Sequence, residues 1–326
     1  MSNRKLIIGL VFGGESSEHE VSIKSAKTIY AALSHSCNSE QFIVNPISGK
    51  GKQKDIKNII HKNLDTKKHE YSIQFTERKG HAKELCKQAI TDGYEGIIAV
   101  GGDGTVNEIA SECIGKDTVL GIIPAGSGNG FAYHLGMKEN IKESILQLNN
   151  TTIKIVDSCT ANSMPFINVS GIGFDAHIAQ LFQNLEKRGF WNYIKLIFKE
   201  INYKAKEYII NHNGKSRKIK AIMISFANAS QYGNNFRISP RSELDDGLID
   251  FVIVQDMPKR MIPHFLIKIA NGKIENSKFV EIIQAKKMKI FSDEKIIHLD
   301  GEPKKINKSV LVKNNPKSLK ILIPNE

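Results

Sequence analysis

The chain has 326 residues, 40% of them hydrophobic and 25% charged, an ordinary globular usage that excludes collagen-like, disordered and disulfide-scaffold proteins. At about 150 residues per domain, this length predicts two domains, each large enough for its own core. Lysine and arginine number 46 against 34 acidic residues, a formal net charge of +12. Polyanions are therefore the expected partners: nucleotides, nucleic acid or an anionic lipid surface.

The basic excess is uneven, with ten Lys/Arg against two Glu between Lys187 and Lys220. Cys37, Cys86, Cys113 and Cys159 are widely spaced and form no Cys-x-x-Cys pair. That predicts neither a zinc site nor a disulfide framework, and suits a reduced cytoplasmic setting. No apolar run approaches the ~20 residues needed to span a bilayer. Leu6–Phe12 imitates a secretory core, but Gly13-Gly-Glu-Ser16 follows it in place of a cleavage site, so a buried strand entering a turn is expected.

From Phe42 to Leu148, apolar runs alternate with amphipathic stretches. Strands are predicted at Phe42–Val44, Tyr71–Phe75, Gly96–Val100 and Val119–Ile123, and helices at Asp55–Leu64, His81–Ala89 and Val106–Cys113. Gly96–Val100 and Val119–Ile123 lack charge, as strands buried on both faces do. Strands alternating with helices predict a doubly wound parallel sheet, with ligands beyond the carboxyl ends of its strands. After Thr151 the pattern changes to strands at Ile153–Val156, Pro165–Val169, Ile219–Ala227, Leu248–Val254 and Lys286–Phe291. Two helices, Trp191–Tyr203 and Lys259–Ala270, interrupt them. This predicts a second, largely antiparallel domain, with Ser318–Ile323 closing one domain or the other.

Chemistry concentrates in three loops. Val100-Gly-Gly-Asp-Gly-Thr-Val-Asn-Glu108 ends a strand and opens a helix, and its glycines allow close backbone approach. Helix-terminal amides there suit a phosphate. Asp103 in their midst implies a cation between carboxylate and phosphate, hence a magnesium–nucleotide site. Val44-Asn-Pro-Ile-Ser-Gly-Lys-Gly51 and Pro124-Ala-Gly-Ser-Gly-Asn129 follow neighbouring strands in the same way. Each alone reads as a turn, and three at one sheet edge read as an anion cradle. Asp300-Gly-Glu302 and Asp245-Asp-Gly247 alone read as hairpin turns.

In order and spacing, Asn45-Pro-x-Ser-Gly49, Gly101-Gly-Asp-Gly-Thr-Val-Asn107 and Pro124-x-Gly-Ser-x-Asn129 resemble the diacylglycerol kinase catalytic family, which includes bacterial lipid kinases and sphingosine and ceramide kinases. Gly171-Ile-Gly-Phe-Asp-Ala176, Leu244-Asp-Asp-Gly-Leu248 and Asp300-Gly-Glu302 extend the likeness from about Gln41 to the C-terminus. The resemblance implies an α/β fold: a phosphofructokinase-like nucleotide domain (41–150), a β-sandwich-like substrate domain (151–326) and an active site between them. It implies an ATP-dependent lipid kinase whose ATP contacts fall on Asn45, Pro46, Ile47, Ser48, Gly49, Thr76, Gly101, Gly102, Asp103, Gly104, Thr105, Val106, Asn107 and Ser127. Glu302 matches the proton acceptor, with Asp103 orienting Mg²⁺-bound phosphates. Asp246, with Glu243 and Leu248, matches a second, structural Mg²⁺ site. Many bacterial members carry aspartate where this chain has Gly130, and the form here looks nearer the sphingosine-kinase-like branch.

Leu10–Lys27 resembles the start of D-alanine–D-alanine ligase, including Glu20-Val-Ser22, but no ligase body follows. Residues 1–40 are expected to be a non-catalytic leader. The implied partner is a lipid at a membrane surface, met by peripheral contact with the anionic inner face, with no nucleic acid and with a homodimer left open. Ile194, Ile197 and Ile201 form an apolar stripe with Phe190, beside Trp191, Phe198, Lys195 and Lys199. Core packing explains such a stripe, and so does cover for a lipid site. An NAD-kinase-like enzyme shares the Gly-Gly-Asp-Gly-Thr turn, and a basic nucleic-acid-binding protein is the non-enzymatic alternative.

Overall fold

The computed structural model describes residues 38–48, 55–185 and 190–325. The leader expected over residues 1–40 lies outside these residues up to position 37, as does Gly49. Asn38–Glu40, assigned to that leader, belong instead to the first strand.

The first unit runs β1 (Asn38–Val44), α1 (Ile56–Asn63), β2 (His69–Phe75), α2 (His81–Thr91), β3 (Gly96–Gly101), α3 (Asp103–Cys113), β4 (Val119–Pro124), α4 (Gly130–His134) and α5 (Ile141–Leu148). Its strands are parallel in the order β2-β1-β3-β4. Every residue of β3 is buried, because alternate side chains feed two separate layers. Ile97 and Ala99 pack under α2 and α3, while Ile98 and Val100 pack with α1 and α5. This double burial is what makes the strand continuously apolar and legible in the sequence.

The second unit comprises β5 (Thr151–Ala161), β6 (Met164–Phe166), β7 (Val169–Gly173), α6 (Phe174–Gln183), α7 (Phe190–Lys199), β8 (Lys206–His212), β9 (Lys215–Ala221), β10 (Met223–Ala227) and β11 (Ile249–Val254). A 3₁₀ turn (Lys259–Met261) then leads into α8 (Ile262–Ala270), followed by β12 (Val280–Ala285), β13 (Lys287–Phe291), β14 (Ile296–Leu299), β15 (Glu302–Lys305) and β16 (Ser309–Pro324). One antiparallel sheet has the order β12-β11-β10-β7-β14-β15. It packs on the other through Ile172, Phe226, Phe251, Ile210, Met288 and Val312, a face-to-face sandwich.

The two units share a sheet. β16 pairs antiparallel with β13, then with β5, and its last residues run parallel to β4. The final strand therefore pairs with strands of both units, which share one continuous sheet. Two predicted strands divide at sandwich corners. Pro165–Val169 becomes β6 and β7, in different sheets, because the amides of Ile167 and Asn168 leave the ladder for the Asp300 carboxylate at 3.0 and 2.9 Å. Ile219–Ala227 divides at Ile222 into β9 and β10, again in different sheets. Helix α6, which the sequence pattern does not predict, begins where Gly173 takes φ 98°.

The junction is tied by Asp157, which is fully buried. Its Oδ2 accepts from Gly247 N (2.8 Å) and Asn314 Nδ2 (3.1 Å), and its Oδ1 accepts from Lys317 N (2.8 Å). One carboxylate thus satisfies donors from the loop before β11 and from β16. Asp157→Ala would leave those donors, the buried Asn314 amide among them, without their acceptor and is expected to cost about 3 kcal/mol in denaturant unfolding. A change below about 1 kcal/mol would contradict this role.

Candidate functional site between the glycine loops and the Asp-Gly-Glu hairpin

The loops after β1, β3 and β4 emerge at one edge of the parallel sheet because the strands run in the same direction. They are bonded to one another. Asn45 Nδ2 donates to Thr105 Oγ1 at 3.1 Å, and Asn45 N donates to Val100 O at 2.9 Å. Thr76 is buried at the end of β2, its amide on Val44 O at 2.9 Å. Gly102 and Gly126 lie back to back: a Cβ on Gly126 would sit 2.4 Å from Gly102 Cα. Side chains are excluded there, so backbone alone faces the space above. Helix α3 starts at Asp103, three residues before the predicted Val106, so its free first-turn amides belong to the Asp-Gly-Thr segment itself.

Asp103 is braced rather than free. Its Oδ2 accepts from Asn129 N at 2.8 Å, and the amides of Gly130 and Phe131 also face it. Asn129 is in the left-handed region with φ 56°. Its side chain accepts from Gly126 N at 2.9 Å and donates to Gly126 O at 3.0 Å, which holds the third loop in shape. Burial raises the proton affinity of Asp103 to about 6, against the pull of those amides, and the nearby Asp300 carboxylate adds to the rise. A desolvated carboxylate beside exposed backbone amides is a donor set that fits a magnesium–phosphate group.

The second unit supplies the opposite wall. Leu299 and Glu302 pair across a two-residue hairpin whose central Asp300 and Gly301 have φ of 47° and 85°, as a type I′ turn requires. The hairpin expected from the sequence is present, and Glu302 lies on its second strand. Asn107 Nδ2 donates to Asp300 Oδ2 at 2.7 Å, pinning the turn to α3. Burial raises the proton affinity of Asp300, opposed by the Ile167 amide, Asn107 and the Asn168 amide. Glu302 points back at the first unit: Lys79 Nζ lies 3.0 Å from its Oε1 and Lys304 Nζ 3.1 Å from its Oε2. Burial pushes the Glu302 carboxyl up, but the two ammonium groups together hold it below the usual range. Asn234 Nδ2 donates to Ser127 O at 2.9 Å, so the second unit also grips the third loop.

Asn45–Ser48, Thr76, Gly101–Asn107 and Ser127 therefore stand at one edge of the parallel sheet, where Asn107 and Lys79 reach the Asp300–Glu302 hairpin. Glu243, Asp246 and Leu248 stand apart, in the loop before β11. Burial raises the proton affinity of Asp246, opposed by the Leu248 amide and reinforced by Asp250, Asp157 and Glu243. Its Oδ1 accepts from Leu248 N at 2.8 Å, and the Leu248 carbonyl accepts from Asn314 Nδ2 at 3.1 Å. Among the described residues no group of three His, Cys, Asp or Glu side chains is placed to hold a metal ion.

Sequence reading missed Lys79, Asn129 as a brace, and the buried pair behind the hairpin. There, His298 Nε2 lies 3.2 Å from Asp175 Oδ2, and its Nδ1 accepts from Gly301 N at 3.2 Å. Asp175 was visible inside the Gly171–Ala176 motif, whereas nothing local marks His298. Asp175 also lines a cavity of about 100 Å³ between α6, α7, α8 and the small sheet, otherwise walled by side chains such as Phe174, Ile197, Met223, Phe265 and Ile269. Ile197 of helix α7 and Ile201 in the turn after it line this cavity, while Trp191 is 75% and Phe198 43% exposed. The Phe190 side chain lies outside the described residues. No described helix is long and apolar enough to cross a membrane.

Comparison with known proteins agrees with this architecture. Residues 41–161 match the model of the diacylglycerol kinase catalytic domain, and residues 168–323 match the YegS C-terminal NAD kinase beta sandwich-like domain. A Chromohalobacter salexigens protein named "Probable lipid kinase YegS-like" is 30% identical over 244 residues, 72% of this chain and 78% of that one. A Bacillus subtilis diacylglycerol kinase is 26% identical over 278 residues, 80% of this chain and 89% of that one. A crystal structure of a diacylglycerol kinase from Bacillus anthracis superposes with a TM-score of 0.68 at 22% identity, covering 88% of this chain and 97% of that one. None of these findings bears on the ligase-like leader. With its nucleotide-type loops, its interlocked sandwich and these relatives, the chain belongs to the diacylglycerol kinase catalytic-domain family of lipid kinases.

Proposed function

We propose that the protein transfers the γ-phosphoryl group of Mg²⁺–ATP to the hydroxyl of a lipid. The observation that carries this is the meeting of two elements: the glycine-rich edge at Gly101–Asn107 and Gly126–Ser127, and the hairpin that carries Glu302, joined through Asn107–Asp300 and Lys79–Glu302. The Asn107–Asp300 bond at 2.7 Å fixes their separation. The α3 amides and Asn45 would hold phosphate oxygens, with Thr105 positioned by Asn45. Mg²⁺ would supply charge neutralisation, and Asp103 is the carboxylate placed to orient it. Glu302 would take the proton of the attacking hydroxyl as its oxygen bonds to phosphorus and ADP leaves.

The lipid acceptor is supported by the apolar cavity, which His298 connects to the Asp300–Glu302 turn. At about 100 Å³ it is below the ~300–1,000 Å³ of ligand sites. Seating an acyl chain would therefore require α7 or α8 to move outward. Exposed Trp191 and Phe198, with Lys195 and Lys199 on the same helix, suit an anionic membrane surface.

Incubation with Mg²⁺ and labelled ATP against diacylglycerol, sphingoid bases, phosphatidylglycerol and NAD should label a lipid. Asp103→Asn should lower that rate about 100-fold or more. Label in NAD alone would overturn the lipid assignment, and equal rates would remove Asp103 from the mechanism. Asp103 binds its proton more tightly in the folded state, with pKa about 6, than in the unfolded chain, near 3.9. Its contribution to stability is thus fully present below pH ~4 and lost as pH rises through ~6. Nucleotide-free Asp103→Asn should accordingly lose this pH dependence in thermal unfolding, and an unchanged profile between pH 4 and 7 would contradict the enclosed carboxyl.

Trp191→Ala combined with Phe198→Ala should weaken binding to phosphatidylglycerol-containing liposomes about tenfold in a sedimentation assay. Unchanged binding would exclude α7 as the membrane contact.

A further inference from the structure

Lys79 is the residue whose position the mechanism has not used. It stands on the β2–α2 loop, three residues after Thr76, and the loop is anchored to α3 by Gly80 N donating to Glu108 Oε1 at 3.0 Å. It therefore belongs to the nucleotide-side wall, yet its ammonium crosses to the opposite wall and sits 3.0 Å from Glu302 Oε1. Its side chain is 65% exposed and that of Glu302 only 25%, so the lysine has room to swing while the carboxylate does not. Lys304, the second cation on Glu302, lies on β15 itself and moves with it.

Other charged groups around the hairpin are already engaged. Asp300 is held by Ile167, Asn168 and Asn107. On α6, which packs against β15, Asp175 pairs with His298 and His177 with Glu200. The Lys79–Glu302 pair is thus, among the described pairs, the ionic contact at this wall whose cation comes from the other unit and is mostly exposed. A carboxylate gripped by two ammonium groups is a poor proton acceptor. A terminal phosphate entering between the walls carries more charge than a carboxylate, and a flexible ammonium exchanges partners readily.

Resting on the reading of Glu302 as proton acceptor, we propose that Lys79 is a shared cation: it pairs with Glu302 in the empty site and transfers to the terminal phosphate when ATP binds. One swing then does two things. It places positive charge on the group that accumulates negative charge during transfer, and it releases Glu302 to take the acceptor's proton.

The test is equilibrium binding, by calorimetry with Mg²⁺ present, of a non-hydrolysable ATP analogue and of ADP. Lys79→Met should weaken the analogue about tenfold and leave ADP within about twofold, because ADP lacks the terminal phosphate. Glu302→Gln should tighten the analogue about three- to tenfold by removing the competitor for Lys79. In the Lys79→Met background the same Glu302→Gln change should have no effect, the mark of direct coupling. Equal losses for analogue and ADP in Lys79→Met, or a Glu302→Gln effect that persists in the double variant, would overturn the shared-cation role and leave an ordinary interdomain ion pair. Full phosphoryl transfer by Glu302→Gln would overturn the proton-acceptor reading instead, and the two failures are separable because the binding cycle involves no turnover.

Discussion

The site depends on one steric contact: two chain segments approach so closely at Gly102 and Gly126 that no side chain fits between them. A Cβ at Gly126 would also meet Asn129 Oδ1 at 2.8 Å, the oxygen that shapes the third loop. Backbone amides can face a phosphate only where side chains do not intervene, and here two loops achieve this by leaning on each other. Asp103 completes the lock by accepting amides from the loop opposite its own. The same carboxylate thereby serves the architecture and remains the acidic group nearest the helix terminus, at the cost of a raised proton affinity.

Interlocking extends across the two units. β16 runs from the sandwich into the parallel sheet, Asp157 gathers donors from β16 and the loop before β11, and Asn107 holds the Asp300 turn. Glu302 is consequently fixed relative to the nucleotide edge by hydrogen-bonded strand pairing, a buried carboxylate and one short side-chain hydrogen bond. Such rigidity suits phosphoryl transfer, where positioning and charge carry most of the catalysis. Movement is left to side chains such as Lys79 and to the helices over the apolar cavity.

Much of the first unit was legible in the sequence because β3 and β4 are buried on both faces and their glycines punctuate one sheet edge. The second unit was less so. Strands such as β8, with its Lys206 and Glu207 exposed, carry mixed patterns, and β6, β7, β9 and β10 divide at corners set by distant partners. The Ile167 and Asn168 amides reach Asp300 across more than 130 positions, which no local pattern encodes. The motif residues were found from their order and spacing. Lys79 was not, since its significance lies in crossing between walls. Helix α3 starts at Asp103 rather than Val106 because the glycines flanking Asp103 hide the helical period.

The two glycine loops and the Asp-Gly-Glu hairpin, on this proposal, form the walls of a single phosphoryl-transfer site. A crystal structure with Mg²⁺ and a non-hydrolysable ATP analogue tests it most directly. The account predicts the triphosphate along the amides of Gly101–Asn107 and Gly126–Ser127, with its terminal phosphate facing Glu302. A nucleotide bound elsewhere, or a terminal phosphate directed away from Glu302, would contradict it.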